Sequence, residues 1–250
     1  MRICIVLVSY LLSISVYSAE LVKVGVYDFP PYVFIAGDTT GLTMELITEM
    51  NHAQDKYKFI TVPTTARRRY SDFEKHKFDM MVFESKSWGW QKYPVDVSQV
   101  FVTGDEVYVT QAKPGRGQDF FTDFENKAMI GVMGYHYQFA NFQADQDYLK
   151  KHFNILQTNS QQISLELILK DRGEIAVISR EYLKYHFANV PTDKEKLLIS
   201  DKLDQVYRHT FLIRKDTVPS VSYINKLLEQ IKQQGTLKPL WKRYGLKENH

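Results

Sequence analysis

Four places in the chain carry residue types suited to holding or transforming a small polar molecule. Tyr32 follows Pro30-Pro31 at the end of a β-branched run, where an open α/β sheet presents its ligand and an aromatic face can stack on it. Arg67, Arg68 and Arg69 form a basic triplet at the start of a polar helical stretch. Cations there oppose the helix macrodipole, so the placement argues for another use, and a guanidinium fork fits a carboxylate bidentately. Glu84 and Trp88, at the end of an apolar run, suit a cationic or ring-bearing ligand by charge and stacking. Gly134-Tyr135-His136-Tyr137 lies between a strand and a helix, so its backbone N–H groups and the helix N-terminus offer an anion site for a carboxylate or phosphate. Each place also has a plainer reading: an aromatic plug, a solvated charge run, a Trp-rich packing loop, an ordinary turn.

Other chemistries lack support. The histidines, residues 52, 76, 136, 152, 186, 209 and 250, show no pair at metal-ligand spacing, and Cys4 is the only cysteine. No metal and no cofactor is expected. No G-x-S-x-G, Walker or dinucleotide motif occurs, so an enzyme would rest on a cleft holding Glu84, Lys92, His136 and Glu181 as acid and base. A formal charge of +3 implies no strong pull toward nucleic acid.

Around these residues the chain alternates strand-like and helix-like patterns. Met1-Arg2 precedes an apolar run over residues 3–16 and small residues before Glu20, the pattern of a secretory signal peptide over residues 1–19. Residues 21–27, 57–62 and 78–83 read as strands. Residues 42–52 place Leu42, Leu46, Ile47 and Met50 on one helical face, with Thr40 or Thr43 as cap, and residues 67–77 read as a polar helix. The rhythm restarts with strands at 127–133 and 175–179 and helices at 163–170 and 182–187, and a C-terminal helix is expected over residues 220–235. Such alternation argues for βαβ units and an α/β fold. Extended segments at 107–111 and 207–214 flank the middle third, so a second lobe, residues 110–207, is inserted into a first, residues 20–109 and 208–250. The two crossing strands make a natural hinge.

In that order the motifs resemble the family 3 extracellular solute-binding proteins, the polar amino-acid receptor type of bacterial uptake systems. The resemblance rests on Val24-Gly25-Val26-Tyr27-Asp28-Phe29-Pro30-Pro31-Tyr32, on Gly41 followed by Met44-Glu45-Leu46, and on Phe78-Asp79-Met80-Met81-Val82. Further on it rests on Val95-Asp96-Val97-Ser98, on Ile130-Gly131-Val132 ahead of the Gly134 turn, and on Leu240-Trp241-Lys242-Arg243-Tyr244. It implies a two-lobed periplasmic-binding-protein fold with the ligand cleft between the lobes, and a monomer that captures a small polar ligand for an inner-membrane permease. A membrane sensor, or dehydration of a cyclic substrate, is the alternative on the same scaffold. It also implies that the turn at Gly134, Tyr135 and His136 touches the ligand, that Arg68 matches an arginine lining the cleft, and that Glu181 stands where relatives bind the ligand's amino group. The arginine that grips the α-carboxylate in relatives falls on Lys92, a point charge rather than a fork, so α-amino-acid recognition in the usual manner is in doubt.

Overall fold

The computed structural model describes residues 18–248; residues 1–17 of the expected leader lie outside them. The first sheet grows around β1 (Glu20–Val26), whose Val22, Val24 and Val26 are buried. The chain then makes a short hairpin, β2 (Phe34–Ala36) with β3 (Asp38–Thr40), and enters α1 (Leu42–His52). That helix buries Leu42, Leu46, Ile47 and Met50, the face its spacing predicts. Its N-cap is Gly41 without any side-chain cap, rather than either threonine.

Next come β4 (Tyr57–Pro63), α2 (Arg69–Glu74) and β5 (Met80–Glu84). The helix expected over residues 67–77 is shorter at both ends. Thr65 Oγ1 accepts the Arg68 N–H in a turn before it, and His76 adopts a left-handed φ of 54° after it. β1 pairs in parallel with both β4 and β5, and every residue of β5 is buried.

After β6 (Val95–Val97), the long β7 (Val102–Gln111) leads into the second half of the sheet. There β8 (Met129–Val132), α3 (Gln146–His152), β9 (Ile155–Thr158), α4 (Gln161–Leu169), β10 (Ile175–Ser179) and α5 (Arg180–Asn189) repeat the alternating pattern. β11 (Leu197–Arg214) then runs back along β7. Its residues through His209 pair with β7, and from Thr210 onward it pairs with β5 and β6. The strand order is therefore β4-β1-β5-β11-β7-β10-β8-β9. The fold is two-lobed, with β7 and β11 as the strands that pass between the halves. The chain ends with α6 (Val221–Gln233), α7 (Leu237–Arg243) and β12 (Lys247–Glu248) on the first lobe's side, where α6 buries Ile224, Leu227, Leu228 and Ile231. No helix among the described residues is long and apolar enough to cross a membrane.

Candidate functional site

The ends of β1, β5 and β8 converge where the lobes meet, and a small chamber lies at that point. Tyr27, Phe29, Arg69 and Trp88 enter it from the first lobe, and Tyr135 and His136 from the second. Glu106, Gln205 and Tyr207 close it from β7 and β11. The chamber encloses about 10 Å³, room for roughly one water molecule. Wider grooves flank it on two sides, of about 740 and 920 Å³, each lined by both lobes.

Arg69 is the charged centre of this contact. Its guanidinium lies 3.3 Å from the carboxylate of Glu84, and the two side chains are 1% and 0% exposed. It donates to the carbonyl of Gly134 at 3.2 Å, across the lobes, and to that of Ala66, and it sits over the Tyr27 and Tyr70 rings at 4.9 and 4.6 Å. A guanidinium can only donate, so its contact with His136 at 3.4 Å makes Nδ1 the acceptor and leaves the ring proton on Nε2, facing the Tyr70 hydroxyl at 3.3 Å. Burial, assisted by the charge of Arg69, pushes His136 down to about 3, so the ring is neutral. Burial raises the Glu84 carboxyl although Arg69 and the Trp90 indole, which donates to it at 2.9 Å, favour its charged form.

Gln205 knits the remaining parties together. Its amide accepts from the Trp88 indole at 2.9 Å and donates to Glu106 at 2.7 Å and to the His136 carbonyl at 2.6 Å. One side chain on β11 thus touches the first lobe, the second lobe and β7. Burial, reinforced by the charge of Asp204, holds the Glu106 carboxyl well above the usual range.

The residues singled out from sequence divide by position. Trp88, Tyr135, His136 and Glu84 reach the chamber or its ion pair, and the Tyr135 hydroxyl crosses the lobes to donate to the Asp28 carbonyl at 2.9 Å. The inward member of the arginine triplet is Arg69 rather than Arg68, which is exposed and lines the larger groove. Lys92 is exposed on the rim of the other groove. Tyr32 is fully buried behind the chamber; His209 Nδ1 must donate to the Phe83 carbonyl, so the Tyr32 hydroxyl donates to Nε2 at 2.9 Å.

At the Gly134 turn the helix N-terminus expected from sequence is replaced by a shorter element. The turn leads into a three-residue 3-10 segment, Gln138–Ala140, and Asp204 already accepts the Gln138 and Phe139 N–H groups at 2.8 and 3.0 Å. Sequence reasoning also missed Arg69, Glu106, Gln205 and Tyr207. The signal available for Glu106 was an acid set directly against the apolar residues Val107 and Val109.

Glu181 is 3% exposed and packs where β7 comes closest. A Cβ on Gly104 would sit 2.9 Å from its carboxylate and 3.0 Å from the Tyr32 hydroxyl, so a larger residue there would have to push these side chains aside. Burial first, and the charge of Asp105 in addition, push Glu181 from 4.5 up to about 7. The folded state therefore binds its proton more tightly than the unfolded state does. The stability this group contributes is complete below about pH 4.5 and is lost as pH rises through about 7, on the order of 3 kcal/mol. Glu181→Gln is expected to remove this falling limb from a plot of melting temperature against pH, and an unchanged limb would assign it to another group.

Comparison with known proteins follows the same outline. The family described as bacterial extracellular solute-binding proteins, family 3, matches residues 22–247. The chain belongs to that family. Solved structures agree in fold. The substrate-binding protein of an amino acid ABC transporter superposes with a TM-score of 0.69 at 17% identity, covering 90% of this chain and 99% of that one. AncCDT-1, an ancestral amino-acid-binding protein and precursor of cyclohexadienyl dehydratase, gives 0.67 at 20% identity over 90% and 95% of the two chains. A histidine kinase sensor domain with similarity to periplasmic binding proteins gives 0.70 at 15% identity over 93% and 99%. A search of curated proteins finds no match.

Proposed function

We propose that this protein is a periplasmic solute-binding protein that captures a small polar ligand, an amino acid or a related carboxylate or amine, by hinge closure, and delivers it to an ABC-type permease. The observation that carries this reading is the Gln205 junction, where side chains of both lobes and both joining strands meet at one buried point. Such a site is complete only when the lobes are together, which is what capture by closure requires.

In this reading residues 20–109 and 208–250 form the first lobe and 110–207 the second. Trp88, Gly134, Tyr135 and His136 face the ligand with Arg69 and Glu84. Arg68 and Lys92 meet it in the grooves, and Tyr32 and Glu181 support the closed contact from behind. A monomer suffices, because a single chain supplies every wall. Dehydration is the weaker reading: Glu181, the acid set near neutrality, lines neither the chamber nor the two grooves beside it.

The test is a thermal-shift screen of residues 20–250 against amino acids, carboxylates, amines, sugars and peptides. A solute that binds only the folded state adds about 2.7 kcal/mol at a hundredfold excess over its Kd. One chemical class is expected to raise the melting temperature; a flat response to every class would contradict solute capture.

A further inference from the structure

The chamber between the lobes has a chemical bias that capture by closure does not by itself explain. Arg69, its only cationic side chain, is matched within the protein by Glu84 at 3.3 Å and held between the Tyr27 and Tyr70 rings. His136, beside it, is neutral. Neither offers a free positive charge to an incoming carboxylate.

Glu106 is the opposite case. It is 1% exposed and receives neutral donors, the Gln205 amide at 2.7 Å and the Tyr207 hydroxyl, with the acid Asp204 nearby. A carboxyl enclosed in this way is expensive to ionise without a cation, and a ligand that brings one recovers that cost. An anionic ligand would leave the cost of ionising Glu106 uncompensated.

The walls point the same way. The Trp88 and Tyr207 rings meet edge to face, with centroids 5.1 Å apart at 84°. Phe29 is perpendicular to Tyr135 at 5.6 Å and 89°, and steeply inclined to Tyr207 at 5.8 Å and 71°. Rings set at right angles bound a volume with π faces on several sides, which is the environment that attracts an alkylammonium group.

Resting on the reading that this chamber is the ligand site, we propose that its ligand is an organic ammonium. It is a ring-bearing or alkyl amine whose cation stands against Glu106 and the faces of Trp88 and Tyr207, and no ligand carboxylate is needed. The ligand enters when the lobes part, because the closed chamber encloses only about 10 Å³.

The experiment is calorimetric titration of the protein with ligands that share a skeleton and differ in charge. Phenethylammonium and pentylammonium are compared with the zwitterions phenylalanine and norleucine and with the acids phenylpropanoate and hexanoate. The amines are expected to bind at least about tenfold more tightly than either partner of the same skeleton. A zwitterion or acid that binds more tightly overturns the ammonium assignment and leaves capture by closure standing; no binding by any of the six overturns the ammonium assignment too, and the wider thermal-shift screen then decides capture. This ranking in the unaltered protein decides the ligand class without a variant. Glu106→Gln is then expected to weaken the amine at least about tenfold, and unchanged affinity would remove Glu106 from the site.

Discussion

Arg69→Ala is expected to destabilise the protein by about 3–5 kcal/mol, because it leaves the Glu84 carboxylate buried without its counter-ion. In a chain of 250 residues, that lowers the melting temperature by roughly 10 °C. The neighbouring Arg68→Ala is expected to change stability by less than about 0.5 kcal/mol, since Arg68 is exposed. The contrast between adjacent arginines separates a buried ion pair from a general effect of removing positive charge. Adding Glu84→Gln to Arg69→Ala recovers much of the loss, because the uncompensated carboxylate is gone. Thermal unfolding of the four proteins checks both statements. Equal effects of the two single substitutions would contradict the assignment of Arg69 to the contact between the lobes.

Gly134→Ala is expected to act on closure rather than on either lobe alone. Gly134 has a φ of 84°, and a Cβ there would lie 2.9 Å from the backbone of Ala66 and Arg67 on the opposite lobe. The left-handed backbone costs an alanine roughly 1–2 kcal/mol wherever the lobes stand, and the collision with backbone arises only when they meet. Ligand affinity is therefore expected to fall by at least about tenfold, more than the loss of folding stability explains. An affinity that survives the substitution would mean that the lobes need not approach this closely in the bound form.

The frame of the molecule was readable because strand and helix periods survive in the local sequence. The apolar runs at β5 and β10 became fully buried strands, and the α1 face was given by its spacing. The inward arginine was not readable: α2 has six residues, fewer than two turns, so no hydrophobic face fixes which of three consecutive arginines points inward. Gln205 and Tyr207 were hidden for a different reason. β11 shifts register between Ile199 and Leu203 and again between Leu203 and Gln205, which breaks the alternation that identifies inward positions. The partner of the N–H groups that follow the Gly134 turn was not readable, since no local pattern reveals that Asp204 reaches Gln138 from 66 residues away.

Closure of the lobes on a solute is the central claim, and a distance across the 740 Å³ groove tests it most directly. Gln91 and Asp147 line that groove from opposite lobes and are both exposed, and Cys4 is the only native cysteine. Spin labels on Gln91→Cys and Asp147→Cys in a Cys4→Ser background report the separation by pulsed electron resonance. The account predicts a broad or longer distance without solute and a single shorter one when a solute that raises the melting temperature is added. A distribution that no such solute changes would contradict it.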